Sequence, residues 1–218
     1  MLKIKYFVQQ SWLLIVCSFC FGLLIAATNA ALSPEIEQNK IDKLYRLAGA
    51  LLPEAEHFIP LDTEIEIKSL RGKKEKVKVY RAVTGTDECI GWNFNTTGPG
   101  FADKIELVVA VDKGFEKLAG FAVLVSNETP GFGDQIKDNY FRGQFEGAPV
   151  EQLQLVKTGN AQKIDSEIVA ITGATVSSEA VVEIINNSIG QIKKQMQKKG
   201  LISYHEGTKL QKKGSELK

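Results

Sequence analysis

The chain has 218 residues, 44% of them hydrophobic, and a formal charge of +1, which suits one globular domain with extensions and lacks the charge bias that a polyanion such as nucleic acid would require. With three cysteines and two histidines there is almost no material for a His/Cys zinc or haem site. No metal site is expected, so any redox chemistry has to arrive with a cofactor.

In chain order, Lys3 and Lys5 precede an uncharged run over residues 6–32 whose apolar heart is 12–27, long enough to span a bilayer as a helix. Lysines before the run and Glu35 and Glu37 after it favour a cytoplasmic N-terminus and place the rest of the chain outside the cytoplasm. The same start, with small residues at Thr28-Asn29-Ala30, also fits a cleaved signal peptide, and the physics of the run does not separate the two. Cys17 and Cys20 lie on one helical face inside the run, where packing is the expected role. Cys89 is then the lone thiol of the domain after the run, so no intramolecular disulfide can staple it.

Ser33-Pro34 reads as the cap and first turn of a stalk helix to about Leu51, with Ile41, Leu44, Ala48 and Leu51 at helical spacing and Pro53 near its end. From Glu64 the pattern alternates. Ile65 and Ile67, then Val77 and Val79 across Arg71-Gly72-Lys73-Lys74, predict strands joined by a solvated turn, and a short strand is expected over 89–94. Residues 105–112 and 118–126 are β-rich runs separated by Lys113-Gly114-Phe115-Glu116-Lys117, a hairpin. Its strands are antiparallel, so the entering segment Thr97-Gly98-Pro99-Gly100-Phe101 and the leaving segment Asn127-Glu128-Thr129-Pro130-Gly131-Phe132-Gly133 come to one end. Glycines there permit close approach to a flat ligand, and loop N–H groups can bond ring carbonyls. Alternatively both are tight turns with Phe101 and Phe132 in the core. Glu128 has no carboxylate or histidine near it in sequence, and is expected to hydrogen-bond loop N–H groups rather than serve as a general acid. A short helix with Ile136, Tyr140 and Phe141 is expected within 133–145, and a strand over 151–157. Trp92, Tyr140 and Phe145 could stack on a ligand but are more often core residues.

The final helix is introduced by Ile171-Thr172-Gly173-Ala174-Thr175-Val176-Ser177-Ser178. Gly173 permits a sharp turn, Ser177 or Ser178 can cap a helix whose apolar stripe is Val181, Ile185, Ile189, Ile192 and Met196, and the Thr175 hydroxyl stands at its start. Free N–H groups and the positive end of the helix dipole favour a phosphate there. By itself the octapeptide reads more readily as an ordinary Ser/Thr-rich cap. Beyond Gly200, Lys209, Lys212 and Lys213 mark a polar, basic tail.

Residues 172–175 resemble the (S/T)-G-A-T flavin-attachment motif of the FMN-binding domain family shared by the G subunit of Rnf electron-transport complexes and the C subunit of the sodium-pumping NADH:quinone oxidoreductase. Residues 128–133 resemble the family's E-T-P-G-hydrophobic-G loop, in the expected order. The resemblance extends from the N-terminal apolar run to about Gly200 and is closer to the Rnf G subunit. It implies FMN bonded covalently through its phosphate to Thr175, with Thr172, Gly173, Ala174, Glu128, Thr129, Pro130 and Gly131 as further cofactor-binding residues, installed by a flavin-transferring enzyme. One departure is Val169, where the family often has an aspartate; the nearest acids are Asp165 and Glu167. The resemblance also implies an uncleaved anchor. The expected organisation is an N-terminal membrane anchor over 1–32, an α+β FMN-binding domain over 33–200 with a largely antiparallel sheet and packed helices, and a tail over 201–218. The expected setting is the cell inner membrane, single-pass, with the soluble domain extracytoplasmic (periplasmic). The implied role is an electron-carrier subunit, rather than an enzyme alone, of a multi-subunit membrane complex coupling electron flow between ferredoxin and NAD to ion translocation. The alternatives are a stand-alone membrane-tethered flavin redox or sensor protein, and a non-redox assembly module.

Overall fold

The computed structural model describes residues 2–202, with side chains from residue 11 onward; the lysines expected in the tail lie outside the described residues. Residues up to Lys43 form one compact unit and those from Leu44 on form a second.

The first unit belongs to one 50-residue helix, α1 (Leu2–Leu51). Its large apolar side chains, from Trp12 through Phe19 and Phe21 to Ile25, are exposed, and it is long and apolar enough to cross a membrane. The Thr28 hydroxyl donates to the Leu24 carbonyl at 2.8 Å, which satisfies a polar group without solvent. The expected start of a separate helix at Ser33-Pro34 is corrected: α1 runs through Pro34. Proline omits one backbone hydrogen bond at a cost of about 3 kcal/mol in a helix interior, and the Ala- and Leu-rich turns before it and the Glu- and Leu-containing turns after it carry the helix across.

In the second unit a five-stranded antiparallel sheet has the order β1-β4-β5-β6-β7, formed by β1 (His57–Pro60), β4 (Val79–Val83), β5 (Cys89–Pro99), β6 (Lys104–Asp112) and β7 (Leu118–Ser126). Strands β2 (Ile65–Lys68) and β3 (Lys74–Val77) make a separate hairpin, with Ile65 opposite Val77. Val77 and Val79, expected in one strand, fall in different sheets on either side of Lys78. Strand β5 continues past the expected limit of Phe94 to Pro99, because residues 95–99 pair with β6 out to Lys104.

Alternation along the central strands sends side chains to two cores. Trp92, Phe94, Leu107 and Val109 meet the stripe Val181, Ile185, Ile189, Ile192 and Met196 of α3 (Thr175–Lys198). On the other face Ala82, Val108, Ala110, Ala122 and Leu124 meet Ala48 and Leu51 of α1. Full burial of each Ile or Val contributes about 1.5–3 kcal/mol, which fixes α3 against the sheet. The loop between β6 and β7 places its left-handed residue at Phe115 (φ 57°) rather than at Gly114. The Phe115 ring is fully buried and stacks on Phe94 at 6.4 Å, a gain that offsets the roughly 1–2 kcal/mol of a left-handed residue.

The expected helix in 133–145 is three short pieces: a 3-10 turn at Gly133–Lys137, α2 (Asn139–Arg142) and a second 3-10 turn at Gly143–Phe145. Ile136, Phe141 and Phe145 are buried, whereas Tyr140 is exposed. The expected strand over 151–157 shortens to β8 (Gln154–Val156), which pairs in parallel with β9 (Glu167–Val169).

Candidate functional site

The β6–β7 hairpin brings the segment before β6 and the segment after β7 to one end of the sheet, and Glu128 ties them together. Its carboxylate, 5% exposed, accepts the Ala102 N–H at 3.1 Å on Oε1 and the Ser177 hydroxyl at 2.5 Å on Oε2. The expected bond to a loop N–H is present, and a third segment, the first turn of α3, joins through Ser177. Two glycines make room for this carboxylate. A Cβ at Gly133 would lie 2.5 Å from Ser177 Oγ and 2.6 Å from Glu128 Oε2, and one at Gly100 would overlap Glu128 Oε1. Between them the Thr129 carbonyl accepts the N–H groups of Phe132 at 3.2 Å and Asp134 at 3.3 Å, closing the turn through Gly131, whose φ is +77°.

The second component is the turn before α3. The Ala174 N–H donates to the Ile171 carbonyl at 3.0 Å, and Gly173 takes φ +83°, where L residues are disfavoured. Thr175 is the first residue of α3, as expected. The capping role expected of Ser177 or Ser178 is corrected, because both lie inside the helix, Ala174 is the cap residue, and no side chain caps it. The Ser178 hydroxyl instead donates to the Ala174 carbonyl at 2.9 Å and accepts the Ile171 N–H at 3.1 Å, locking the turn to the helix. Among the described residues no backbone carbonyl takes the N–H groups of Thr175, Val176 or Ser177, which are the orphan donors of a helix start.

Between loop and turn is a cleft of about 470 Å³. Phe101, Glu128, Thr129, Phe132 and Gly133 line one part of it and residues 173–177 the rest. Phe101 is 68% and Phe132 58% exposed, so neither is a core residue of a tight turn. The Phe132 ring lies along Gly173, with Cδ1 3.7 Å from where a Cβ would stand. Of the residues expected to hold a cofactor, Glu128, Thr129, Gly173, Ala174 and Thr175 line the cleft, while Thr172, Pro130 and Gly131 are exposed in the same two turns without lining it. No atom stands within 4 Å of a Cβ at Gly131; that glycine answers to its φ, and close approach is the task of Gly100 and Gly133. Trp92 and Phe145 are buried in the core, and Tyr140 does not line the cleft. Ser177 and Val176 are lining residues that the sequence did not single out as such, although both lie within the octapeptide.

Among the described residues no lysine or arginine lines the cleft. The nearby Lys104 is paired with Glu106 at 2.9 Å, and that hydrogen bond and charge hold its ammonium above the usual lysine range. Hydrogen bonds from Asn127 and from the Lys104 N–H hold the Asp103 carboxyl below the usual carboxylate range. Burial pushes the Cys89 thiol up, away from the reactive thiolate. Val169 is buried in β9 and presents no acid to the turn; the buried Gln144 amide clasps its backbone, accepting the Val169 N–H at 2.8 Å and donating to its carbonyl at 3.2 Å. Among the described residues no group of three His, Cys, Asp or Glu could hold a metal ion.

Comparison with known proteins matches residues 100–190 to the FMN-binding domain family. The chain is 27% identical over 182 residues to the G subunit of the ion-translocating oxidoreductase complex of Methanosarcina acetivorans, covering 84% of this chain and 92% of that protein. It is 31% identical over 179 residues to the G subunit of the proton-translocating ferredoxin:NAD(+) oxidoreductase complex of Clostridium ljungdahlii, covering 82% of this chain and 88% of that protein. The crystal structure of Shewanella oneidensis NqrC aligns over 68% of this chain and 71% of its own with a TM-score of 0.55 at 21% identity, a likeness of fold.

Proposed function

Since the chain belongs to the family of G subunits of ion-translocating oxidoreductase complexes, we propose that it is an electron-carrying subunit of such a membrane complex, holding FMN covalently through a phosphoester to Thr175. What carries the reading is the meeting of the 128–133 loop and the 172–175 turn at one cleft, with the Thr175 hydroxyl at the start of α3. The attachment end of the cleft fits a flavin phosphate, because the orphan N–H groups of the first helical turn and the helix dipole favour an anion beside Thr175, while the Glu128 carboxylate belongs to the loop that lines the cleft opposite that turn. The exposed rings of Phe101 and Phe132 fit the flat, apolar part of the same molecule. When bound, FMN supplies reversible one- and two-electron chemistry. The chain's own residues then have positional tasks. Thr175 prevents loss of the cofactor, Gly173 and Ser178 hold the attachment turn in place, and the Glu128–Ser177 bond holds the loop against it.

The membrane setting rests on the sequence and on the long helix. Helix α1 is the anchor, and the basic N-terminus with acids beyond the apolar run favours an extracytoplasmic domain. Other subunits of the complex supply and remove electrons, between ferredoxin and NAD by analogy with the Clostridium ljungdahlii relative, and a flavin-transferring enzyme installs the cofactor. The test is mass spectrometry of the full chain and its peptides from its native host, with gel fluorescence after denaturation. FMN is expected on the peptide that holds Thr175, lost in Thr175→Val and kept in Thr172→Ser. Flavin on Thr172, Ser177 or Ser178, or none at all, overturns the assignment.

A further inference from the structure

Glu128 is a buried carboxylate whose charge its own hydrogen bonds do not require. Its two oxygens each accept one bond, from the Ala102 N–H and the Ser177 hydroxyl. A glutamine could make both, accepting the N–H with its carbonyl and donating to Ser177 Oγ with its amide. Among the described residues no ion pair neutralises Glu128, and the nearby Lys104 is engaged by Glu106. The compensation available to its charge is the start of α3, whose first turn holds Ser177 and presents the positive end of the helix dipole, and the backbone makes room for the carboxylate on two sides by placing glycines at 100 and 133. The same side chain lines the cleft that holds Thr175.

We propose that Glu128 sets the electron affinity of this site by fixing a negative charge in the wall of the flavin cleft; the proposal rests on the FMN reading of Thr175. A fixed anion in a poorly solvated wall opposes placing further negative charge beside it. An electron delivered by a neighbouring centre of the complex and later returned to the next one therefore meets a lower potential than it would beside a neutral amide. Glu128 is itself neither oxidised nor reduced, and gains no group in the process.

The test is spectroelectrochemical titration of the full chain in detergent, with attached flavin first verified by gel fluorescence. Glu128→Gln keeps shape and hydrogen-bonding capacity but removes the charge, and should raise the midpoint potential by on the order of tenfold in the reduction equilibrium, about 59 mV for a one-electron couple. Ser177→Ala breaks the same bond and leaves the charge, so its potential should not rise. Equal potentials for the wild type and Glu128→Gln, or an equal rise in both variants, would show that the charge has no such role. Should Glu128→Gln fail to accumulate, Glu128→Ala, which removes the charge and empties the space kept by Gly100 and Gly133, should give the same upward shift; an unmoved potential there overturns the proposal. A wild type without attached flavin would remove the FMN reading itself, whereas attached flavin with unmoved potentials removes this inference alone.

Discussion

Gly133→Ala should be clearly destabilising although it adds a single methyl, and the structure says why. The backbone at Gly133 is not in the left-handed region, so alanine meets no conformational penalty; what it meets is Ser177 Oγ at 2.5 Å, Glu128 Oε2 at 2.6 Å and Glu128 Cβ at 3.0 Å. Either oxygen can yield only by giving up the bond between them, a hydrogen bond to a charged group whose net contribution is about 1.5–3 kcal/mol. The expected loss is therefore ~2–3 kcal/mol, or ~4–12 °C in Tm for a domain of this size. Equilibrium urea unfolding of the full chain in detergent can follow it by tryptophan fluorescence. Of the two tryptophans, Trp92 is buried on β5 and Trp12 lies in the apolar run of α1, in the other unit, so the change on unfolding of the domain reports Trp92. In a Ser177→Ala background the bond is already absent, and the cost of Gly133→Ala should shrink by most of its value. A loss under about 0.5 kcal/mol, the level of an ordinary surface change, or strict additivity of the two substitutions, would refute the reasoning.

Gly131→Val, two residues earlier, should act through the backbone: φ is +77° and a Cβ meets nothing within 4 Å, so the cost is the roughly 1–2 kcal/mol of a left-handed residue plus a distorted loop. Flavin incorporation should fall more than thermal stability does, while Lys117→Ala, at an exposed position, should change neither. In sealed membrane vesicles, protease should cut the domain only from the extracytoplasmic side and terminal sequencing should find Lys3 and Lys5; a mature chain starting at Ala31 would replace the anchor with a signal peptide. Because Asn127 and the Lys104 N–H hold the Asp103 carboxyl below its ordinary value of 3.8, its contribution to stability is present above that value and is lost as pH falls through the lower folded one. The Tm difference between the wild type and Asn127→Ala should accordingly be present at neutral pH and vanish in acid; a difference that persists in acid would assign Asn127 another role.

What could be read from the sequence was whatever one element's own burial period encodes. Strands β6 and β7 match the expected runs 105–112 and 118–126 almost to the residue, because each packs against a core along its whole length. The stripe from Val181 to Met196 is buried as expected, since a helix on a sheet leaves a 3.6-residue signature. What could not be read was held by contacts between distant residues. The short β9 and the edge of β2 are fixed by side-chain amides acting as substitute strands: Gln144 on both backbone groups of Val169, and Gln191 on the Lys68 N–H and carbonyl at 2.7 and 2.9 Å. A glutamine carries no local mark of that duty.

The candidate site divides along the same line. Its two turns announce themselves through Gly173 and Gly131, whose positive φ is a local requirement. The bond from Ser177 to Glu128 spans 49 positions in the chain and is visible only once the hairpin and α3 have brought its ends together. Hydrophobicity alone puts Phe101 and Phe132 in the core, yet both stand in solvent beside the cleft. Large apolar side chains are also exposed elsewhere in the domain, at Ile59 and Ile164, but here two of them stand at the rim of a concavity next to a buried carboxylate without an ion pair among the described residues, two departures side by side. Such departures concentrate where something other than stability selects the residue. That both border the cleft lined by Thr175 is the physical reason to look for the flavin there.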